Sequence, residues 1–222
     1  MIYLNRKDIT TPRTPIELAH FIEKTYEIVM NDDETRHRAR LKEGLYKKFL
    51  EELMLLSIYS DWKYSENNVL CQLVIDKQEY DAIITNLPAD SHEYQEYIEI
   101  TSPIDGRKEN EISKIVNEKG FHGEVFDYDT SAQRKEATER IIKKVYEKAV
   151  KDYQYPNSAL LIGLNLFPFF DLKRDDHRAD ITNLVQKLRQ ISYKVRSVYL
   201  ILLNAQNLPA QERILAIIGG ST

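Results

Sequence analysis

This chain has little of what announces a compartment or a bound cofactor. It holds a single cysteine in 222 residues, Cys71, placed inside an apolar run. One cysteine closes no internal disulfide, so nothing marks a secreted protein, and a small buried core residue is expected. Positions 1–13 have no long apolar stretch before a small-residue cleavage site, and no later run is long enough to span a bilayer. No membrane partner is expected, and the cytoplasm is the default location. An excess of positive charge is missing too. The formal net charge is −4, so any contact with nucleic acid needs a local basic surface rather than a global field.

Several chemical signatures are also absent. There is no G-x-x-x-x-G-K-[ST] loop, no G-x-G-x-x-G and no G-x-S-x-G elbow. Nucleotide-fuelled and serine-hydrolase chemistry are therefore poorly supported, and Gly163 reads as a glycine within a strand. His20, His37, His92, His122 and His177 share no zinc spacing with one another or with Cys71. His122 lies in the 120–123 stretch with no identifiable partner. Asp175-Asp176-His177 looks like a metal cluster, but it precedes a helical pattern, where Asp is a favoured cap. Capping is the reading taken.

What is present is ordinary in bulk. Hydrophobic residues are 42% and charged residues 30%, a globular balance with enough length to bury a core. No internal repeat or low-complexity linker divides the chain. The expectation is one domain over 1–222, with a helical extension at 1–33, a core at 34–203 and a last element at 204–222.

Thr14-Pro15-Ile16-Glu17 carries a cap, a first-turn proline and a capping-box acid, so a helix is expected to about Met30. Ile22, Tyr26 and Val29 would form its inner face. Asn31-Asp32-Asp33 is a turn or a new cap. Leu41, Leu45, Phe49, Leu53 and Leu56 then recur at helical spacing, predicting one long helix over 34–59. Strands are expected at 69–76, 80–86 and 96–101, with short links that suggest an antiparallel meander. A charged helix over 107–119 follows, then irregular chain with a small strand at 124–126, then an amphipathic helix over 131–153. Positions 158–166 and 197–203 read as strands buried on both faces, with a helix over 180–192 between them. Positions 208–218 fit a short helix or a final strand.

The informative feature lies in the meander. Glu79-Tyr80-Asp81-Ala82-Ile83-Ile84-Thr85 and Glu96-Tyr97-Ile98-Glu99-Ile100-Thr101 each carry a carboxylate, Asp81 or Glu99, inside an apolar run. A carboxylate there is costly unless paired, hydrogen-bonded or bound to a cation. Two on adjacent strands make a hard oxygen site suited to Mg²⁺ or Mn²⁺. Alternation would turn Glu99 away from Ile98 and Ile100, toward a cleft. The bland alternative is a pair of strand-face acids that bind nothing.

The element order, with Asp81 and Glu99-Ile100-Thr101, resembles the PD-(D/E)XK nuclease superfamily. The resemblance implies an α/β fold, a mixed central sheet flanked by helices, with a restriction-endonuclease-like core behind the N-terminal extension. It implies Asp81 and Glu99 as catalytic metal ligands, and Glu43 as a helical glutamate added to the metal shell. Thr101 stands where that pattern has lysine. Lys108, Lys143 or Lys144 would then substitute for it, with Gln133 as a further polar candidate. Glu43 also has a plain reading as an ion-pair partner among Arg36, Arg38, Arg40, Lys42, Lys47 and Lys48. That cluster, with Arg36 and Arg40, and the stretch carrying Lys143 and Lys144 are candidate phosphate contacts. The implied activity is metal-dependent phosphodiester hydrolysis, with DNA the expected substrate. The alternative is a catalytically degenerate module that binds nucleic acid or protein. The oligomeric state stays open, a homodimer included.

Overall fold

The computed structural model describes residues 4–64, 68–75, 78–87, 94–103, 106–120, 131–152, 155–165, 174–203, 205, 208 and 210–219. The side chains of residues 108, 109, 133, 210 and 211 fall outside that description, as do His92, His122 and the strand expected at 124–126. The chain divides into two compact units, Met1–Ile100 with Asp105–Glu124, and Thr101–Ile104 with Val125–Thr222.

The first unit begins with helices whose ends are written in short polar motifs. Asn5 and Asp8 form a reciprocal capping box at α1, Arg6–Thr10. Thr14 and Glu17 do the same at α2, Pro15–Asn31, with the Thr14 N–H donating to Glu17 Oε2 at 2.9 Å. Asp32 starts α3, Asp33–Arg40, by accepting from the Thr35 N–H at 2.8 Å. The inner face of α2 is Leu18, Thr25 and Val29 rather than one through Tyr26, which is 43% exposed. Tyr26 lies one residue out of phase with that stripe.

The single long helix expected over 34–59 is interrupted. Lys42 and Gly44 adopt left-handed backbone, φ 53° and 56°, and turn the chain after α3. The helix resumes as α4, Tyr46–Lys48, widens into a π-helical turn at Phe49–Leu53, and continues as α5, Met54–Lys63. Phe49, Leu53 and Leu56 are buried as their spacing predicts. The meander is β1, Val69–Leu73, β2, Ala82–Asn86, and β3, Gln95–Thr101. Its pairs are antiparallel, with Cys71 opposite Ile84 and Ile83 opposite Tyr97. Arg13 bridges Cys71 through two backbone hydrogen bonds of 2.7 and 3.1 Å, tying the N-terminal segment to β1. The last element is α6, Gly106–Lys119, joined to α3 by Asn117, which donates to the His37 carbonyl at 3.1 Å.

The second unit contains α7, Ser131–Ala149, β4, Ser158–Asn165, α8, Asp175–Arg189, β5, Ser197–Leu203, a short α9, Ala210–Arg213, and β6, Ile214–Ile218. β4 and β5 are parallel and β5 and β6 antiparallel, so this sheet is mixed. A parallel pair needs a crossover, which α8 supplies. Residues 158–164 and 197–202 are buried without a break, as their uninterrupted apolar letters require. Ile141 and Val145 of α7 and Ile181, Leu184 and Leu188 of α8 pack with Leu160, Ile162, Val198 and Leu200. The chain is thus mixed α/β. Positions 208–218, which fitted helix or strand, hold α9 and then β6.

Candidate functional site

Asp81 lies one residue ahead of β2. Its N–H donates to the Ile98 carbonyl and its own carbonyl accepts from Val74, both at 2.8 Å, so its backbone is clamped on two sides. Its carboxylate turns toward β3 and accepts from the Ile100 N–H at 2.8 Å. The first acid is therefore bonded to the peptide that follows the second, Glu99. Glu99 is only 4% exposed. It does not face an open cleft, because Ile98, Glu99 and Ile100 are buried in succession, which requires cover on both faces of β3.

The helical glutamate beside Asp81 is Glu52, not Glu43. Glu43 lies in the turn after α3, about half exposed, and accepts from Arg38 Nε at 3.1 Å. Glu52 lies in the π-helical turn, and both of its oxygens accept from Lys48 Nζ, at 2.6 and 2.7 Å. The same ammonium is 3.8 Å from Asp81 Oδ1. One cation thus serves two carboxylates on different elements. Burial, and then the charge of Asp81, push the Glu52 carboxyl up from its ordinary 4.5 to about 7, against the lowering hydrogen bond from Lys48. Next to it, Lys42 Nζ donates to Glu51 Oε1 at 2.8 Å. Sequence reasoning missed Glu52 and placed Lys48 only in a general basic cluster. The available signal was Gly44, a breaker inside the leucine pattern, which separates Glu43 from the helix that carries Glu51 and Glu52.

A second buried acid, Glu96, also escaped a role at the sequence level. It is 1% exposed. It accepts from Tyr59 Oη at 2.9 Å, Lys63 Nζ at 2.7 Å and Tyr64 Oη at 2.6 Å, and Tyr64 meets Tyr94 at 2.8 Å. This satisfied network fastens α5 to β3 three residues before Glu99. Burial and the Glu96 charge drive the Tyr64 hydroxyl far up from its ordinary value. Burial first, with Glu96 adding, pushes the Cys71 thiol up to about 11, which fits the inert core role expected of it.

Among the basic candidates, Arg36, Arg40 and Lys144 are engaged locally. Arg36 donates to the Met30 carbonyl at 2.6 Å and pairs with Asp33. Arg40 donates to Asn117 Oδ1 at 3.3 Å. Lys144 pairs with Glu147 at 3.0 Å, and Lys143 is exposed on α7. Lys108 lies on α6 and Gln133 on α7, with side chains outside the described residues. Asp175 and Asp176 occupy the first turn of α8 after Arg174, so they favour its positive end rather than cap it. Asp176, with Asp180, holds the buried Arg134 at 3.0 and 2.6 Å.

Among the described residues, no three or more His, Cys, Asp or Glu side chains group as a metal cage. Mg²⁺, however, often binds through one or two carboxylates and keeps several waters. The donors here are hard oxygens, and burial, then the charge of Asp81, hold the Glu52 carboxyl up despite the hydrogen bond from Lys48. A divalent ion fits that donor chemistry. No helix among the described residues is long and apolar enough to cross a membrane. Comparison with protein families, with curated proteins and with solved structures finds no match for this chain.

Proposed function

We propose that this chain is a divalent-metal-dependent phosphodiester hydrolase acting on DNA, with a restriction-endonuclease-like core. The observation that carries the reading is the shared ammonium. Lys48 joins Glu52 to Asp81, and Asp81 is bonded to the Glu99–Ile100 peptide. Acids from a helix and from the start of a strand thus lie side by side, next to the backbone of a third acid. In this reading Asp81 and Glu52 hold the metal and Glu99 completes the acidic lining. Mg²⁺ or Mn²⁺ bound there supplies Lewis acidity to a phosphoryl oxygen and to the attacking water. Asp81 is fixed by the Ile100 N–H, so its carboxylate has one orientation. The buried setting strengthens every charge interaction at the site.

A second reading, a binding module that has lost catalysis, is favoured by one observation. Thr101, the last residue of β3, has a neutral hydroxyl where the resembled pattern places a cation. One experiment separates the two. Supercoiled plasmid is incubated with Mg²⁺ or Mn²⁺ and wild-type protein, Asp81→Asn or Glu52→Gln. The hydrolase reading expects nicking by wild type and a loss of at least about a hundredfold in each variant. Equal cleavage by all three proteins removes the assignment. DNA binding without cleavage under either ion leaves the binding module.

A further inference from the structure

The meander has one closed face and one half-open face. Alternate residues of β1 and β2 are buried, and the residues between them are only half-buried. The register sets the half-open residues in rows across the three strands: Leu70, Thr85 and Gln95, then Gln72, Ile83 and Tyr97. None of these residues is charged, and each keeps some exposure. Tyr80, also half-buried, lies against the second row, its ring 4.9 Å from that of Tyr97 and inclined to it by 64°. Resting on the nucleic-acid reading, we infer that this tyrosine pair is a stacking platform for an unpaired base, and that the substrate is single-stranded or locally opened DNA rather than intact duplex.

The position of the pair carries the argument. Tyr80 immediately precedes Asp81 in the chain. Tyr97 alternates onto the same side of β3 as Glu99, two residues and about 7 Å along the strand. A base resting on Tyr97 therefore leaves its sugar and phosphate within reach of the end of the meander where the Asp81 carboxylate is 22% exposed. The Tyr97 hydroxyl donates to Gln95 Oε1 at 2.7 Å, which fixes the ring by its rim. The two rings meet edge to face, so their contact covers the face of one ring only.

The chemistry of the face selects the occupant. An uncharged surface with a central aromatic pair matches the flat, neutral body of a base and gives a phosphate nothing to pair with. Stacking on such rings is tolerant of sequence, because every base has a π-face. In a duplex those π-faces are hidden between neighbouring base pairs, so only an unpaired base can use the platform. Gln72 and Thr85 add an amide and a hydroxyl to the same face, groups that can hydrogen-bond the edges of an unpaired base.

A short single strand carrying a fluorescent aminopurine base tests the assignment, titrated with Ca²⁺ in place of Mg²⁺ to hold off hydrolysis. Wild-type protein is expected to quench the fluorescence and to bind the single strand at least about tenfold tighter than the matching duplex. Tyr97→Leu and Tyr80→Leu keep an apolar side chain but remove a ring. Each is expected to weaken single-strand binding by at least about fivefold and to lose the quenching, while Tyr97→Phe retains both. Urea melts check that the variants fold, and either leucine variant suffices if the other does not. Three results overturn the platform: binding without quenching, quenching undiminished in the leucine variants, or duplex bound as tightly as single strand. Duplex cleavage in Mg²⁺ alongside any of them leaves the hydrolase in place. A wild-type dimer that Tyr97→Leu dissociates, with DNA affinity unchanged, also overturns the platform and assigns the face to a second copy of the chain. Wild-type protein that neither binds nor cleaves either form of DNA overturns both readings.

Discussion

Glu52 is the side chain whose surroundings are most at odds with its charge. Its carboxyl is raised to about 7 by burial and by Asp81, so between about pH 4.5 and 7 the folded chain holds a proton that the unfolded chain has released. A group shifted this way stabilises the fold fully below its unfolded value. The benefit is lost as pH rises through the folded value. The shift corresponds to about 3 kcal/mol, of which roughly 2–3 survive for a side chain this enclosed. Glu52→Gln is a neutral isostere of the protonated form. Urea melts in chelator should therefore find the variant and wild type equal near about pH 4.5, with the variant ahead by about 2–3 kcal/mol near about pH 8. A gap that does not change with pH would mean that Glu52 titrates normally. Glu96 shows the opposite solution, in which every part of a buried carboxylate is answered by a donor. Neither outcome is written in local sequence. Tyr59, Lys63 and Tyr64 lie more than thirty residues before Glu96, and only tertiary packing brings them together.

At the scale of elements, turn and cap chemistry was the most legible. Thr14-Pro15-Ile16-Glu17 reads directly as the start of α2, and the two unbroken apolar runs read as β4 and β5. The helix over 34–59 misled because a leucine stripe is satisfied equally by one helix and by two helices that share a buried side. Lys42 adopts a left-handed backbone that lysine has no propensity to announce. Once that turn and the π-helical turn shift the phase, spacing alone cannot say which of Glu43, Glu51 and Glu52 meets Asp81. Two glycines with left-handed backbone differ in what a side chain there would meet. Gly219, just past β6, has φ +72°, and a Cβ there would collide with the Arg196 carbonyl oxygen. Gly44 has φ +56° with nothing within 4 Å of the added atom. Gly44→Ala should cost about 1 kcal/mol for conformation alone. Gly219→Ala, which adds a backbone collision, should cost about 2–4 kcal/mol in chemical denaturation. Equal losses would show that the collision is relieved by a small shift of β6.

For the molecule as a whole, charge sets a bound on how the proposed hydrolase would meet DNA. The chain carries 31 Lys and Arg against 35 Asp and Glu, and the basic residues nearest the acid site are already committed to protein partners. Arg38 pairs with Glu43, Lys42 with Glu51 and Lys48 with Glu52, while Arg36 and Arg40 bind α2 and α6. Around the acid site, few of the described cations are left to displace counterions from a duplex. Affinity should therefore depend weakly on salt, because the slope of log K against log salt follows the number of phosphates neutralised. Anisotropy titrations of a labelled duplex between about 50 and 200 mM salt should give a slope no steeper than about −3. A hydrolase working this way would draw its grip on the backbone from a bound divalent ion more than from a basic field. A slope steeper than about −6 would mean that a broad basic face does the binding, and the local pairing of Arg36, Arg40 and Lys48 would no longer describe the DNA-bound protein.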